Sequence, residues 1–172
     1  MPQTSMHSDQ KTGIKIRRME SADRPAVADI VMTVGNFNQT EIDVAMELVD
    51  LYLKDRNQKD YHIVVATDSE SQVQGYACWG PVPLTKGTYD LYWIGTHPAV
   101  HGQGYGRALM AYVEDRVREE NGRLLLLETS SKESYGDTVR FYRRLGYEEA
   151  SRIRDFYDVG DDMLVFAKRL SR

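Results

Sequence analysis

The sequence predicts a single α/β domain built on a mixed, mostly antiparallel sheet flanked by helices, in the order βααβββαβαββ. Three observations support it. The hydrophobic period changes from helical to strand-like near residue 60. A glycine-rich turn, "HGQGYG" at His101–Gly106, stands between an apolar strand and a run with helical spacing. The stretch "RLLLLET" is apolar almost throughout, as expected of a central strand covered on both faces. With 172 residues there is length for one substantial core and not for a second full domain. Residues 1–12 are expected as a flexible N-terminal tail and 13–172 as the folded domain.

Taken in order, "GIKIRRME" alternates Ile14 and Ile16 with basic residues and reads as a half-buried first strand. Ser21 is the expected N-cap of a helix running to about Val34, with Asp23 in its first turn. "TEID" matches a capping box at Thr40, opening a second helix that should end near Asn57. Its residues Ile42, Ala45, Met46, Val49, Tyr52 and Leu53 recur on one face. "YHIVVAT" and "VQGYACWGPV", separated by polar "SES", read as a hairpin, and "TYDLYWIGT" as a third neighbouring strand. The helix after the glycines carries Leu109, Tyr112, Val113 and Val117 on one side and stops at Asn121-Gly122. Ser134 with Asp137 can cap a further helix bearing Phe141, Tyr142 and Leu145, which Gly146 terminates. "YEEASRIRDFY" and "MLVFAKRL" are the last strands, joined by the turn chemistry of "DVGDD".

Composition narrows the function classes. Twenty-two basic against 26 acidic residues, with no Lys/Arg-rich block, make nucleic acid an unfavoured partner. No segment approaches the roughly 20 apolar residues of a membrane span. Residues 1–12 hold no apolar run of the kind a signal peptide requires. The lone Cys78 has no partner for an internal disulfide and reads as a small buried strand residue, so a reducing, cytoplasmic setting is expected.

The glycine turn fits neither familiar nucleotide loop. A GxGxxG fingerprint fails at Arg107 or at Leu109, and no glycine is followed by the Lys-Ser/Thr of a P-loop. A GxGxG turn entering a helix remains, and free N-terminal amides with the positive dipole end favour an anion there. Glycine lets main-chain nitrogen approach phosphate oxygen and tolerates positive φ. Arg107 can add a charged contact. A plain tight turn rarely needs three glycines.

"HPAVHGQGYGRALM" resembles motif A of the GCN5-related N-acetyltransferases (GNAT), and "FYRRLGY", Phe141–Tyr147, resembles the segment that follows it in that superfamily. His101, Gly104 and Gly106 stand at the fixed positions of Q/R-x-x-G-x-G/A, with His101 departing from the usual residue. The element order is also that fold's, so the likeness covers nearly the whole chain. The resemblance implies acetyl-CoA as co-substrate, lying between the diverging strands "LYWIGT" and "RLLLLET", and no metal. Its pantetheine arm would pair with main chain at Ile94, Gly95 and Thr96, and its diphosphate would meet the amides of Gly102, Gln103, Gly104, Tyr105, Gly106 and Arg107, with His101 beside them at the first position of the motif. Tyr135 stands where the family often has Asn and could flank the coenzyme.

Transfer of an acyl group from a thioester to an amine needs a neutral amine, a stabilised carbonyl oxygen and a proton for the departing thiolate. Tyr142 matches the place where the superfamily commonly has that acid, although its helical spacing also suits packing with Phe141 and Leu145. A main-chain N–H on the "WIGT" strand, at Thr96 or a neighbour, is expected to contact the carbonyl oxygen. Glu128, at the end of its strand, and Asp90 are the carboxylates that could act as general base, directly or through water. Asp155, Asp158, Asp161 and Asp162 could draw a cationic amine or be solvated turn residues. His97 and His101 share no helix face on which to hold a metal.

The expected function is direct, acetyl-CoA-dependent N-acetylation of a small-molecule or peptide amine. The alternatives are another acyl donor or a hydroxyl acceptor on the same scaffold, and a non-catalytic CoA-sensing or partner-binding protein. Exposed edge strands admit a homodimer.

Overall fold

The computed structural model describes residues 7–8, 13–35 and 37–170. The elements are β1 (His7–Ser8), β2 (Lys15–Arg18), α1 (Arg24–Thr33), α2 (Gln39–Lys54), β3 (His62–Thr67), β4 (Val73–Pro81), β5 (Thr88–Thr96), α3 (Tyr105–Glu119), β6 (Leu124–Ser130), α4 (Gly136–Arg144), β7 (Glu148–Asp158) and β8 (Asp161–Arg169). The fold is α/β with a mixed sheet, and every expected element from "GIKIRRME" onward is found. Of the expected tail, His7 and Ser8 pair with Ile16 and Lys15, and its other residues lie outside the described residues.

The chain gathers into two compact units, Met1–Gly80 with Trp93–Val113, and Pro81–Tyr92 with Glu114–Arg172. Strand β5 and helix α3 each pass from one unit into the other, so neither unit is a continuous piece of chain.

In the first unit the strands run β1-β2-β3-β4 and on to the end of β5, antiparallel through β4. β3 is buried at five successive positions, Ile63 to Thr67, as its β-branched and small residues allow. Val27, Ile30 and Val31 of α1 and Ala45, Val49 and Tyr52 of α2 are buried at helical spacing.

The caps differ from those expected. The first helical turn begins at Ser21 as a short 3-10 turn and Glu20 is its N-cap, because the Asp23 carboxylate is already committed. That carboxylate accepts the Glu20 amide at 2.8 Å and two bonds from the Arg17 guanidinium at 2.7 and 2.9 Å. Burial raises the Asp23 pKa, but Arg17 and the Glu20 amide outweigh it and hold the carboxyl below the usual range. For α2 the cap is Asn38 rather than Thr40. Asn38 Oδ1 accepts the Glu41 amide and Glu41 Oε2 accepts the Asn38 amide, a reciprocal box two residues earlier in the same acidic stretch. The helix ends at Lys54, short of Asn57, where Asp55 turns extended and accepts the Asn57 amide. Before α4 a 3-10 turn over Glu133–Tyr135 places Tyr135 at the N-cap, where its side chain does not cap the helix, and Asp137 is occupied by Arg140.

In the second unit the order is β5-β6-β8-β7. β5 and β6 are parallel, while β6–β8 and β8–β7 are antiparallel. Leu125 and Leu127 of β6, Leu164 and Phe166 of β8, and Tyr89 and Leu91 of β5 are buried on one face. Tyr142 of α4 meets Phe166 on that face. Buried Glu114 of α3 accepts from the Tyr147 hydroxyl at 3.0 Å and from Lys168 Nζ at 2.8 and 2.9 Å, tying helix, turn and strand together. The other face is less covered. Leu124 and Leu126 are half-buried and Glu128 is exposed, so β6 is not enclosed on both faces as its run of leucines suggested. Four leucines in a row serve a strand with one closed face and one half-open face equally well.

The Asn121-Gly122 stop is set by close approach. Asn121 takes φ 62°, and a Cβ on Gly122 would meet the Val117 carbonyl oxygen at 2.7 Å and the Tyr89 ring at 3.0 Å. Main-chain oxygen cannot step aside as a side chain can. Gly122→Ala is therefore expected to cost about 2 kcal/mol or more, read as a lowered urea midpoint with unchanged slope.

Candidate active site

The start of α3 is built by the segment that leaves β5. The His97 amide donates to the Gln74 carbonyl at 2.8 Å, and His97 Nδ1 accepts the Ala99 amide at 3.2 Å. Pro98–Val100 forms a 3-10 turn, after which the His101 amide donates to Pro98 and the Gln103 amide to Val100. Gly102 and Gly104 then adopt φ of 76° and 92°, a region that strains any residue with a Cβ. The first bond of the helix runs from the Ala108 amide to the Gly104 carbonyl at 2.9 Å. The amides of Gly102, Gly104, Tyr105, Gly106 and Arg107 consequently have no acceptor among the described residues.

These donors surround open space. Among the described residues, a Cβ on Gly102 would meet no atom within 4 Å, and one on Gly104 would touch only the tip of Ile14. His101, Gln103 and Arg107 are exposed. The Gln103 side chain props the turn by donating to the Ala99 carbonyl, whereas His101 and Arg107 have no side-chain partner among the described residues. Tyr105 is different. Its ring is buried, and burial followed by the nearby Asp68 carboxylate raises its pKa, so only its main chain faces the loop's exterior. A fifteen-residue helix directs its dipole at the same spot.

In the same unit Trp93 of β5 packs edge-on against Phe37, with ring centroids 5.0 Å apart. Gly95 lies so close to Ile30, Val34 and the Tyr76 ring that a Cβ would sit 3.2–3.3 Å from them. Thr96 is half-buried beside Gly75. The parallel pairing of β5 with β6 runs from Thr88↔Leu124 to Leu91↔Leu127 and is not found further along. Ile94, Gly95 and Thr96 thus lie on a part of β5 without a β6 partner among the described residues.

The second unit holds the other candidates. Asp90 stands opposite Leu126 in the parallel register, and Glu128 lies two residues further on the same face of β6. Burial, and next the charge of Glu128, pushes the Asp90 carboxyl above its ordinary pKa. Tyr142 is buried between Phe141, Tyr147 and Phe166, at centroid distances of 5.3, 5.9 and 6.4 Å. Burial raises its pKa, so the phenol stays protonated across the neutral range. Its hydroxyl has no hydrogen-bond partner among the described residues, so the ring packs while the O–H remains available. Tyr135 is half-buried at the α4 N-cap.

The acidic residues of the last hairpin are mostly spent inside it. Buried Asp161 accepts from the Ser130 hydroxyl and pairs with Lys132 at 3.2 Å. Asp162 pairs with Arg152, Asp155 accepts the Gly160 amide, and Asp158 accepts the Val159 amide. Only Asp158 and Asp155 remain on the exposed strand, so the cluster is neither a free anionic field nor merely a solvated turn. Sequence patterning missed Tyr76. Its phenol is fully buried beside Gly95, with its hydroxyl unpaired, and burial raises its pKa. Alternation in "GYACWG" puts it on the face of Cys78, whose thiol burial pushes up to about 12, but nothing local marks the position.

These features meet in a known family. The model of the acetyltransferase (GNAT) domain matches residues 59–149, more than half of the chain, and the chain belongs to that family of acetyltransferases. Among individual relatives, the L-methionine sulfoximine/L-methionine sulfone acetyltransferase of Pseudomonas aeruginosa is 29% identical over 141 residues, covering 77% of this chain and 79% of its own. A GNAT-family protein of Desulfovibrio desulfuricans has a crystal structure that superposes with TM-score 0.87 at 42% identity, over 92% of this chain and 99% of that one. A Salmonella typhimurium structure solved with its cofactor acetyl-CoA shares the fold at TM-score 0.69 and 19% identity, over 93% and 95% of the two chains.

The raised carboxyl of Asp90 makes a signed prediction. Its charged form costs stability in the folded state above its own pKa, and that cost disappears once pH falls below the unfolded value of about 3.9. Asp90→Asn should therefore melt above the parent at pH 7, with the gap closing as the pH is lowered toward that value; thermal melts across the range read it directly.

Proposed function

We propose that residues 13–172 act as one acetyl-CoA-dependent N-acetyltransferase domain that moves the acetyl group directly to a primary amine. The single observation behind this is the set of five unpaired amides at Gly102, Gly104, Tyr105, Gly106 and Arg107. Main-chain donors at a helix start suit a diphosphate, and the two positive-φ glycines hold them there with no side chain in the way. When bound, acetyl-CoA supplies a thioester whose acetyl group an amine can accept. Arg107 is free to add charge at the loop, the exposed His101 side chain is free to contact a ligand there, and Gln103 steadies the turn. Main chain at Ile94, Gly95 and Thr96 is the proposed partner of the pantetheine arm, supported by the end of β6 pairing at Leu91. Tyr135 is the proposed flanking side chain.

Tyr142 is the proposed acid, holding its proton at neutral pH for the departing thiolate. Glu128 and Asp90 are the proposed bases. Burial, and next the charge of Glu128, raises the Asp90 carboxyl, which supports it as a base. A primary amine on an amino-acid-like molecule is the proposed acceptor class, since the Pseudomonas relative acts on methionine sulfoximine and sulfone. A cytoplasmic location is the proposed setting, supported by the free, buried Cys78 and by the proposed coenzyme.

Thiol release, followed over a panel of amines and alcohols that includes L-methionine sulfoximine and its sulfone, tests this reading. Acetyl-CoA with a primary amine should give the fastest turnover; preference for a longer acyl chain or an alcohol would overturn donor or acceptor. Tyr142→Phe should lower kcat about a hundredfold, with KM for acetyl-CoA nearly unchanged. Equal kcat for variant and parent at every pH would remove Tyr142 from the chemistry. Gly104→Val should weaken CoA binding about tenfold or more by straining the loop, measured calorimetrically on protein whose melting confirms it is folded.

A further inference from the structure

Gly102 and Gly104 permit many loop shapes, so the direction of the amides between them and Arg107 depends on how the chain enters. It enters through the short turn Pro98–Val100, whose N-cap is His97. Ser, Thr, Asp and Asn are the residues that ordinarily accept a first-turn amide, through a side-chain oxygen. Here the acceptor is a ring nitrogen, Nδ1 of His97, which takes the Ala99 amide at 3.2 Å. The Ala99 carbonyl accepts from Gln103 Nε2, also at 3.2 Å, so both main-chain groups of Ala99 are held by side chains. The His97 amide donates to the Gln74 carbonyl at 2.8 Å, and the Gln74 side chain donates to Asp68 at 2.9 Å. Ala99, three residues ahead of Gly102, is thus tied back to the turn between β3 and β4.

An imidazole accepts at Nδ1 only when its single proton sits on Nε2. In the other tautomer Nδ1–H would face the Ala99 N–H, donor against donor. Asp29 of α1 selects between them. Its Oδ2 lies 3.6 Å from Nε2, too far for a direct hydrogen bond but near enough for its charge to favour an N–H on that side. The neighbouring residue Ile30 packs on Gly95, which fixes where α1 presents that carboxylate. Both side chains of the pair are partly exposed, so it adds little to stability and its effect is on the ring's tautomer.

We propose that His97 is a positioning residue for the glycine loop: kept as the Nε2–H tautomer by Asp29, it fixes Ala99 and thereby the direction in which the amides from Gly102 to Arg107 point. The inference rests on the reading of those amides as the diphosphate contacts of CoA. His97 itself touches no ligand in this role. It acts through the main chain of Ala99, as a supporting side chain does for a binding group that has no stiffness of its own.

Long-range ¹⁵N–¹H spectra of the imidazole in the free protein, at mildly alkaline pH, should show His97 as the Nε2–H tautomer, and Asp29→Asn should lower that tautomer's share. His97→Ala should loosen the Gly102–Arg107 amides of the free protein, read as a reduced heteronuclear NOE. It should also raise the calorimetric Kd for CoA about tenfold, the size of a lost N-cap. His97→Asn, whose Oδ1 can take the same amide, should return Kd to within about threefold of the parent. Thermal melts confirm that each variant is folded. An Nδ1–H tautomer in the parent, a His97→Ala loop as ordered as the parent's, or a His97→Asn variant that binds CoA no better than His97→Ala would each overturn the proposal. A parent that binds no CoA, with a loop that still loosens in His97→Ala, would instead overturn the coenzyme reading while supporting the hold of His97 on the loop.

Discussion

The proposed chemistry of this protein turns on main-chain donors left without acceptors among the described residues. A helix cannot satisfy its own first amides, and in most helices a side chain or water does so. At the start of α3 neither Ser, Thr, Asp nor Asn is present to cap, and two glycines with positive φ keep the approach clear instead. Water can occupy such donors, but a doubly charged oxygen cluster gains from every one of them and from the helix dipole together.

The remaining structure holds that loop still. In the first unit His97 is bonded through its amide to Gln74 and through its ring to Ala99, so the chain leaves β5 in a fixed direction. Gly75 and Gly95 allow the strands and helices there to approach to distances that a Cβ would crowd. In the second unit Glu114 anchors the later turns of α3 through Tyr147 and Lys168. A loop made of glycine has no stiffness of its own, and within the first unit the bonds of His97 and Gln103 supply it.

Much of this was legible in the residues. The element order followed from hydrophobic period, since the switch from spacing of three and four to alternation is a direct consequence of which faces are buried. The glycine turn stood out because a plain turn rarely needs three glycines, and Tyr142 because it lies in the segment that resembles the family's; its spacing alone suited packing. What failed were helix starts and strand coverage. Ser21, Thr40 and Ser134 have the right chemistry for caps, but Glu20, Asn38 and Tyr135 took those positions because Asp23, Glu41 and Asp137 had found particular partners. That competition lies in three dimensions. Likewise four leucines at 124–127 record apolar character, not which face a helix covers. Tyr76 was invisible for the same reason: a phenol on an alternating strand becomes unusual only when nothing turns out to meet its hydroxyl.

The proposed function depends on CoA meeting the main-chain amides of the glycine loop. Amide ¹⁵N–¹H spectra recorded while CoA is added should show the resonances of Gly102, Gly104, Tyr105, Gly106 and Arg107 moving together toward stronger hydrogen bonding, with slowed exchange. CoA that binds while these five resonances stay in place would contradict it.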